Sequence, residues 1–514
     1  MSESGETPTA PRVVVLGGGI AGLAAAVALA GRGCPVTLVE RDPPPPDDRD
    51  QDPFLAWRRR GVPQFRLPHG FSARARSLLA AHAPDVLERL KADGIEEINV
   101  FKQLVAPELW RPSDDEFTVV WARRSAFELS LRRSAEAEAG IRFLCPAVAS
   151  GLRFDRSPAG PRRVTGVRLS DGRELEADLV LDCGGRRSPV SRWLAAEGAH
   201  VHTDIQDCQT VYHSRYYRFT PSCSMPRTAV AILRGELESV MFLGFPGDHD
   251  TFAICLEARP DDPDMRPLRH TWAWEAVARG IPEVEPWIDP ANATPVAEVQ
   301  TMGGHHNVRR RYVVDGAPVV LGLLPVGDAM CTTNPAYGWG ASMALTHAFA
   351  AAEAVARHGS DLSALALAYD AATSAEADAV YRESAAMDRA RIYRSTGQEV
   401  PEHDRAEMER QHLIAESLAA GVFADLELGR AFCRRVNLAG PADVVLDNPD
   451  LVEGARKARD RLTAATSGAP VAAPAAVSAT VPAPVSATVP AGKAGPTREE
   501  LRALVLAARP RSTA

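Results

Sequence analysis

The stretch that decides the fold of this chain reads Gly327-Asp328-Ala329-Met330-Cys331-Thr332-Thr333-Asn334-Pro335-Ala336-Tyr337-Gly338-Trp339-Gly340. Its aspartate stands where a strand is predicted to end, and a side chain there can hold the hydroxyl groups of a ligand. Its proline and glycines open a helix, whose first backbone N–H groups can approach that ligand closely. Far upstream stands a second glycine-rich stretch, Gly17-Gly18-Gly19-Ile20-Ala21-Gly22.

The upstream stretch matches the G-x-G-x-x-G pattern of dinucleotide-binding sites. Gly17 allows the tight turn, Gly19 lets the backbone approach a pyrophosphate, and Gly22 permits close packing of helix on strand. Glu40 follows where a carboxylate can accept ribose hydroxyls. A strand, a helix and a second strand are predicted over residues 12–16, 20–31 and 35–40.

The two stretches together predict FAD as the resident cofactor. Arg124 is an additional candidate, because a guanidinium just before a helix can reach a phosphate or the flavin edge; a surface arginine is the alternative. Only one nucleotide fingerprint is present, so we expect NAD(P)H as a transient reductant or a separate flavin reductase. The predicted FAD-binding residues are Gly17, Gly19, Ile20, Ala21, Gly22, Glu40, Arg41, Arg124, Gly327, Asp328, Gly338, Gly340 and Ala341.

Other polar motifs give weaker signals. Arg186 and Arg187 follow a predicted strand and could attract a pyrophosphate or the phosphates of a nicotinamide nucleotide, although a merely structural turn remains the alternative. His305 and His306 are adjacent and would point to different sides of a strand, which makes a poor metal pair. No H-x-x-x-H or H-E-x-x-H pattern occurs, so we expect no metal.

Composition narrows the class of protein. The chain has 514 residues, of which 45% are hydrophobic and 24% charged, as in ordinary globular enzymes. Its formal net charge of −8 argues against a nucleic-acid partner. The eight cysteines form no C-x-x-C pair, which indicates reduced thiols and a cytoplasmic location. The chain has no signal pattern at its start and no apolar run long enough to span a membrane.

The order of predicted elements suggests an α/β chain with several parts. The sequence predicts antiparallel strands over residues 211–219, 229–233, 239–245 and 251–257, a hairpin of 164–169 with 174–181, and a helix over 71–93. The predicted parts are a FAD-binding domain over 1–198 with substrate-side insertions near 95–122, a β-sheet substrate domain over 199–300, the second part of the FAD-binding domain over 301–390, a C-terminal helical region over 391–465, a disordered Ala/Pro linker over 466–496 and a short terminal helix over 497–514.

The terminal helix has a recognisable start and one apolar face. Thr497 and Glu500 form a capping box, and Leu501, Leu504 and Val505 would share a face. Such a helix could dock on a partner or a sister subunit. A frayed tail is the alternative, because short isolated helices are marginal in water.

These motifs resemble FAD-dependent monooxygenases of the single-component aromatic-hydroxylase type, which have a para-hydroxybenzoate hydroxylase-like fold. Gly17 to Gly22 with Glu40, the turn at 182–185 and Gly327-Asp328 are similar to the three sequence marks of that family, in order. The resemblance implies a Rossmann-like FAD-binding domain interleaved with a β-sheet substrate domain, plus C-terminal helices and a tail.

A bacterial subgroup is more similar still. Residues 61–69, Gly-Val-Pro-Gln-Phe-Arg-Leu-Pro-His, resemble a stretch of the olefin epoxidases of polyether biosynthesis, which are distantly similar to squalene epoxidase. The resemblance implies that Pro335, Tyr337 and Trp339 position the flavin side of the site, and these are the candidate catalytic residues. Two departures stand out: Leu67 replaces a histidine, and Trp339 stands where glutamine is common.

The resemblance implies an FAD-dependent monooxygenase that inserts one oxygen atom of O2 through a flavin C4a-hydroperoxide. We expect epoxidation of an olefin or hydroxylation, on a small hydrophobic or aromatic substrate that is free or carrier-bound, in natural-product biosynthesis. An FAD-dependent dehydrogenase or reductase on a related scaffold is the main alternative. A flavin halogenase would need a Trp-x-Trp-x-Ile-Pro stretch that residues 272–277 lack. A non-catalytic flavin sensor is the third alternative.

Overall fold

The computed structural model describes residues 10–48, 51–155, 162–412, 426–439, 448–466 and 495–510. Most of the predicted Ala/Pro linker, residues 467–494, lies outside the described residues, so the prediction for it is not addressed by the structure. Within the described ranges, no helix is both long and apolar enough to cross a membrane.

The helices of the described residues are distributed along the whole chain. Their bounds are α1 Ile20–Ala30, α2 Pro53–Ala56, α3 Ala73–His82, α4 Pro84–Ala92, α5 Val100–Leu104, α6 Arg124–Ala137, α7 Val190–Ala196, α8 Thr271–Gly280, α9 Glu285–Ile288, α10 Gly340–His358, α11 Leu362–Thr396, α12 Glu402–His412, α13 Leu426–Val436, α14 Pro449–Thr466 and α15 Arg498–Ala507.

The strands are short, apart from two long ones in the middle of the chain. Their bounds are β1 Val13–Leu16, β2 Val36–Val39, β3 Glu96–Ile98, β4 Val119–Trp121, β5 Ile141–Leu144, β6 Ala149–Phe154, β7 Val164–Leu169, β8 Glu174–Glu176, β9 Leu179–Asp182, β10 His202–Asp207, β11 Val211–Phe219, β12 Arg234–Glu236, β13 Val240–Pro246, β14 Thr251–Ala258, β15 Ala293–Pro295, β16 Gln300–Gly303, β17 His306–Arg311, β18 Val313–Val314, β19 Ala317–Pro318, β20 Leu323–Pro325 and β21 Cys331–Thr332.

A parallel sheet forms the centre of the first part of the fold. Its strand order over the described residues is β20-β9-β1-β2-β5, and all four strand pairs are parallel. Strands β1 and β9 are buried along their whole length, because helices α1 and α10 cover one face of the sheet, while the small antiparallel sheet β6-β7-β8 and helix α7 cover the other. In register, Leu16 and Pro325 both lie beside Asp182. The turns that follow β1, β9 and β20 therefore meet at one edge of the sheet.

Alanine-rich helices pack closely on this sheet. Helix α1 buries nine of its eleven residues, including the run from Ala24 to Ala26, and shares a core with α10. Small side chains allow the two helices to approach each other closely, which leaves their N-termini side by side at the sheet edge. The predicted α/β fold class, with a Rossmann-like parallel sheet and C-terminal helices, is confirmed.

The second sheet is antiparallel, and its strands lie in the sequence between β9 and β20. Its order in the described part is β12-β13-β14-β11-β15, with β16 also paired to β11. Successive side chains of β11 point to opposite faces. Tyr217 and Phe219 pack in the core under α8, whereas Tyr212 and Tyr216 face the parallel-sheet side, where they contact Asn334 and Phe54. One face of the sheet is thus turned toward the first sheet.

Three local predictions were wrong, each for a physical reason. The predicted strand over 174–181 is split, because β8 pairs in the hairpin with β7 whereas β9 enters the parallel sheet. Residues 229–233 lie mostly in a 3₁₀ turn that buries Val230 against β13 rather than in a strand. The helix predicted over 71–93 breaks into α3 and α4 at Pro84, whose ring cannot continue a helix from the preceding residues.

Helix α15 packs on the antiparallel domain of its own chain. Leu501 and Val505 are buried in the core under α8, and Leu504 lies over Gly280, where an added Cβ would come within 2.3 Å of it. Arg498 forms ion pairs with Asp262 at 2.8 Å and with Asp264. The apolar face that could have docked on a partner is therefore covered by the chain itself.

Removal of residues 467–514 tests the role of this helix. We expect the free energy of unfolding to fall by about 1–3 kcal/mol, because buried aliphatic side chains contribute roughly that much each before entropy is counted. We expect FAD content to stay at the wild-type level, since α15 lies away from the sheet edge. Chemical denaturation and the flavin absorbance of the purified protein measure the two quantities.

Gly280→Val in the full-length chain is the matched variant, because it blocks the seat of Leu504 without shortening the chain. It should lower stability to a similar extent. Loss of flavin from the truncated protein would contradict the separation of α15 from the cofactor site.

Candidate functional site

A cavity of about 320 Å³ opens at the edge of the parallel sheet where β1, β9 and β20 end. It extends from the first glycine-rich turn to Met302 and His305 beside the antiparallel sheet. Eleven of the thirteen predicted FAD-binding residues line it: Gly17, Gly19, Ile20, Ala21, Glu40, Arg41, Arg124, Asp328, Gly338, Gly340 and Ala341. The structure thus brings both decisive stretches to one cavity.

Gly22 and Gly327 do not line the cavity, and their small size serves packing instead. A Cβ on Gly22 would lie 1.8 Å from the carbonyl oxygen of Gly17. Gly327 has a φ of +64° and is wedged between Ala21 and Ala344, to whose Cβ atoms an added methyl would come within 3.2 and 3.3 Å. Both glycines therefore allow the close packing that supports the cavity-lining turns, without lining the cavity themselves.

Gly19 is different, because nothing in the described protein crowds it. The nearest atom to an added Cβ would be Nη2 of Arg124 at 3.7 Å, so the protein itself does not require glycine there. Helix α1 begins at Ile20, and the first N–H groups of a helix have no acceptor within it. An open space above free N–H groups, next to a guanidinium, fits the pyrophosphate of a dinucleotide.

Glu40 is held firmly at the other end of this turn. One carboxylate oxygen accepts the N–H of Gly18 at 2.7 Å and the other accepts the N–H of Asp42 at 2.7 Å. Arg59 forms an ion pair with it at 3.1 Å. A carboxylate offers about four acceptor positions, so one remains for a ribose hydroxyl.

Sequence reasoning missed Arg59, which connects Glu40 to the rest of the site. Its side chain is 1% exposed, donates to the carbonyl of Gly18 at 2.9 Å and pairs with Glu128 at 2.8 Å. Burial alone would lower the pKa of Arg59, but Glu128, Glu40 and Asp42 raise it. The only signal in the sequence is its place two residues before the Gly-Val-Pro-Gln stretch, which did not identify a role.

Arg124 is fixed over Gly19 by two partners. Its Nε donates to Glu128 at 3.1 Å, and its Nη1 donates to Nε2 of His69 at 3.1 Å. Nδ1 of His69 lies 3.0 Å from the carbonyl of Leu67, so the ring proton sits on Nδ1 and Nε2 is the acceptor. Burial and Arg124 lower the pKa of His69 to about 3, which keeps the imidazole neutral.

The turn after β9 is organised by Asp182. Its carboxylate accepts the N–H of Gly184 at 3.0 Å and the hydroxyl of Ser188 at 2.7 Å, and burial raises its pKa to about 6. The turn presents Arg186, whose Nη1 donates to Nδ1 of His305 at 2.8 Å. Burial and Arg186 lower the pKa of His305 to about 4. The arginine therefore reaches the cavity wall beside a neutral histidine.

Asp328 faces the cavity with its carboxylate. In the described part of the chain that carboxylate has no hydrogen-bond partner, whereas the backbone carbonyl accepts from Thr332 at 2.9 Å. Burial raises the pKa of Asp328, and the positive charges of Arg124, Arg186 and Arg310 act against that rise. An unpartnered carboxylate among arginines fits the hydroxyl groups of a ribityl chain.

The candidate catalytic residues divide into two groups. Pro335 lines the cavity together with Gly338, whose φ of +71° turns the chain into α10. Tyr337 and Trp339 are absent from the cavity wall. Tyr337 donates to Asp388 at 3.0 Å, and the indole of Trp339, in a residue only 4% exposed, donates to the carbonyl of Val436 at 3.3 Å.

The expectation that all three side chains face the flavin is therefore corrected for Tyr337 and Trp339. The 3₁₀ turn over Pro335–Tyr337 points the backbone at the cavity and the large side chains into the helical core. The tryptophan that replaces a common glutamine changes the packing behind the wall rather than the polarity inside the cavity.

Six aromatic residues of the antiparallel sheet and α8 are candidates for a substrate wall, but none of them lines this cavity: Tyr212, Tyr216, Tyr217, Phe242, Phe245 and Trp272. Tyr217 and Phe242 belong to the core under α8, and Trp272 packs against it. Among the described residues, no group of three or more histidine, cysteine or acidic side chains could hold a metal ion.

His347 supports the second glycine-rich stretch, and its acid–base behaviour gives a test. Its Nδ1 accepts the N–H of Gly327 at 3.1 Å, and burial, with Arg309 and Arg74, lowers its pKa to about 3. An unfolded histidine has a pKa near 6.5, so unfolding takes up a proton as the pH falls below that value. His347→Gln should flatten the pH dependence of the unfolding free energy by up to about 1.4 kcal/mol per pH unit.

Urea denaturation between pH 7.5 and pH 5 measures that slope. His358→Gln, at the end of the same helix, is the matched control for replacing a histidine by glutamine. Equal slopes for wild type and His347→Gln would show that His347 is already protonated in the folded state.

Comparison with known proteins agrees with this geometry. Residues 12–98 match the family model described as FAD dependent oxidoreductase. No curated protein matches the chain. PqsL from Pseudomonas aeruginosa, described as "a probable FAD-dependent monooxygenase", is 17% identical, with a TM-score of 0.53 over 74% of this chain and 96% of its own.

Two other solved structures are similar. The flavin-dependent brominase Bmp2 is 16% identical over 88% of this chain and 98% of its own, with a TM-score of 0.54. The flavin-dependent halogenase CmlS is 18% identical over 84% and 78%, with a TM-score of 0.58. At these identities the likeness shows the fold alone. Residues 12–98 are thus similar to an FAD dependent oxidoreductase domain, and the fold of the chain is similar to that of the monooxygenase and halogenase structures.

Proposed function

We propose that this protein is an FAD-dependent monooxygenase that transfers one oxygen atom of O2 to a small hydrophobic or aromatic substrate. One observation carries the proposal. A single continuous cavity in the described structure joins the dinucleotide turn, at Gly19, to the flavin-side turn, at Pro335, to Met302 of the antiparallel sheet and to His305 in the loop after β16. A cofactor in that cavity would present its reactive end to the antiparallel domain.

Different lining residues would bind different parts of the cofactor. Gly19, the start of α1 and Arg124 would hold the pyrophosphate, and Glu40 would hold the adenosine ribose. Asp328 would hold the ribityl chain, and the backbone at Pro335 and at Gly338 to Ala341 would lie along the flavin ring. When bound, FAD supplies the two-electron chemistry and the activation of dioxygen.

The protein's own contribution is to orient the substrate and exclude water. Leu67, Met302 and Pro335 provide apolar surface at the flavin-side end of the cavity. His69 and His305 stay neutral, so each acts as a fixed hydrogen-bonding group rather than as a cation. In the described chain no lysine lines the cavity, and Ser188 on its wall donates its hydroxyl to Asp182; a nucleophilic side chain is not needed when the cofactor carries the reaction.

The source of electrons follows from the same wall. Arg186 and the more exposed Arg187 lie at the cavity and would attract the phosphates of NAD(P)H, although a separate flavin reductase remains an equal proposal. We propose epoxidation or hydroxylation in natural-product biosynthesis, on a free or carrier-bound substrate, because the epoxidase resemblance favours it. All eight cysteines are free, which supports the proposed cytoplasmic location.

A flavin dehydrogenase or reductase is the main alternative, because the same cavity would serve hydride transfer. Halogenases share the fold, but no lysine lines this cavity in the described chain. A non-catalytic flavin sensor would need no opening toward a substrate domain.

Gly19→Val tests the assignment of the dinucleotide turn. The valine side chain would fill the space proposed for the pyrophosphate. The protein atom nearest to its Cβ would be Nη2 of Arg124 at 3.7 Å, so the fold should survive. We expect the affinity for FAD to fall by more than about tenfold, or ~1.4 kcal/mol. Fluorescence titration of the apoprotein with FAD measures it.

Gly31→Ala, at the other end of α1, is the control and should bind FAD normally. Asp328→Ala should also weaken binding, since it removes the acceptor proposed for the ribityl hydroxyls. A purified Gly19→Val protein that is yellow and contains a full equivalent of FAD would contradict the assignment of the turn at Gly19 to the pyrophosphate.

Oxygen transfer itself is tested by reducing the purified yellow protein anaerobically with NADPH or NADH, and then admitting ¹⁸O2 with olefinic and phenolic compounds. Reduction by either nucleotide makes a reductase unnecessary; if neither reduces it, dithionite supplies the electrons. One ¹⁸O atom in a product supports monooxygenation. A dehydrogenated product with stoichiometric hydrogen peroxide would establish the dehydrogenase instead, and a brominated product in the presence of bromide would establish the halogenase.

A further inference from the structure

We propose that Asp388, on α11 and outside the cavity, is a positioning residue that sets the geometry and the electrostatic environment of the flavin-side turn through Asn334 and Tyr337. The inference rests on the proposed FAD site. It goes beyond that site because it assigns the control of the turn to a helix that contributes nothing to the cavity wall.

The buried carboxylate of Asp388 accepts hydrogen bonds from two residues of the turn and from a neighbouring strand. Its side chain is fully buried. One oxygen accepts the amide of Asn334 at 2.6 Å and the hydroxyl of Tyr337 at 3.0 Å. The other oxygen accepts the amide of Asn307, on β17, at 2.7 Å. These bonds use most of the acceptor capacity of the carboxylate, so it has one arrangement in which all of them are made.

Asn334 transmits this arrangement to the backbone. Because its Nδ2 donates to Asp388, its Oδ1 is turned the other way, where it accepts the N–H of Ala336 at 3.0 Å and the hydroxyl of Tyr212. Its own N–H donates to Asn307 at 2.8 Å. The residue before Pro335 is therefore held at both its side chain and its backbone.

The rest of the turn has little freedom to absorb a shift of Asn334. Proline fixes φ at the next position, and Gly338 is in the left-handed region at +71°. Tyr337, between them, is tied to the same carboxylate. Movement at Asp388 would thus move Pro335 and Gly338, the two residues of the turn that line the cavity.

The same cluster connects the turn to the antiparallel sheet. Tyr212 belongs to β11, and Glu257, beside it on β14, accepts from Thr210 at 2.6 Å. Arg391 lies between the two carboxylates, at 3.3 Å from Asp388 and 3.5 Å from Glu257. Two buried carboxylates share one arginine directly behind the turn. Loss of one negative charge there makes addition of electrons to a nearby ring easier.

Asp388→Asn is the test, because it keeps the size of the side chain and removes the charge. The new side-chain NH2 group must face the donating NH2 group of either Asn334 or Asn307. One hydrogen bond is therefore lost, and the turn changes its geometry. We expect the visible absorption bands of bound FAD to shift and its reduction potential to become more positive. A residue that served stability alone would change neither. Tyr337→Phe, which removes one hydroxyl bond and no charge, should shift the bands with a smaller change in potential.

Asp378→Asn is the matched control. Asp378 lies on the same helix and pairs with Arg309 at 2.8 Å and Arg311 at 2.9 Å, away from the turn. It should lower stability while leaving spectrum and potential at their wild-type values. If Asp388→Asn does not fold, Tyr337→Phe still decides the matter through the spectrum.

The readouts use bound FAD alone, without substrate or oxygen. Wild-type spectra and potentials in both Asp388→Asn and Tyr337→Phe would overturn the role of Asp388 and leave the proposed function standing. Failure of the wild-type protein to bind FAD would overturn the proposed function, and the inference with it.

Discussion

The site depends on the parallel register of three strands. Because β9 lies between β1 and β20, and their last residues are neighbours, three turns that are far apart in the sequence end at one edge. The turn at Gly17, the turn at Gly184 and the turn at Gly327 are each too tight for ordinary side chains to fill the space. They leave a cavity at this edge, with helix N-termini directed toward it.

Charged side chains hold the two ends of this cavity in different ways. At the dinucleotide end, Arg59 and Arg124 share Glu128, so two cations are balanced within the wall and one of them stays over Gly19. At the flavin end, the charges lie behind the wall, in the cluster around Asp388. Buried ion pairs of this kind contribute little net stability. Their effect is to fix the geometry of the groups that line the cavity.

Specific side-chain contacts join the antiparallel domain to the site. Tyr212 reaches the flavin-side turn, and Arg123 pairs with Asp248 at 2.7 Å to connect the start of α6 to the β13–β14 turn. The opposite face of that sheet is covered by α8, with α15 packed on α8. The face turned toward the parallel sheet and the face that carries α8 and α15 are therefore separate, so α15 can affect stability without contacting the cavity.

The sequence by itself determined the features that rest on local spacing. The G-x-G-x-x-G turn, Glu40 and Asp328 could be predicted because each follows a strand whose apolar pattern is readable, and the end of a strand fixes where the next residues lie. The tertiary structure decided everything that needed a distant partner. No sequence signal identified the roles of Arg59 and Asp388, since Glu128 and Asn334 are brought to them only by tertiary packing. Tyr337 and Trp339 belong to the turn that borders the cavity, but their side chains point away from it. Hydrogen bonds to Asp388 and to the carbonyl of Val436 set those orientations, and no local sequence pattern could reveal them.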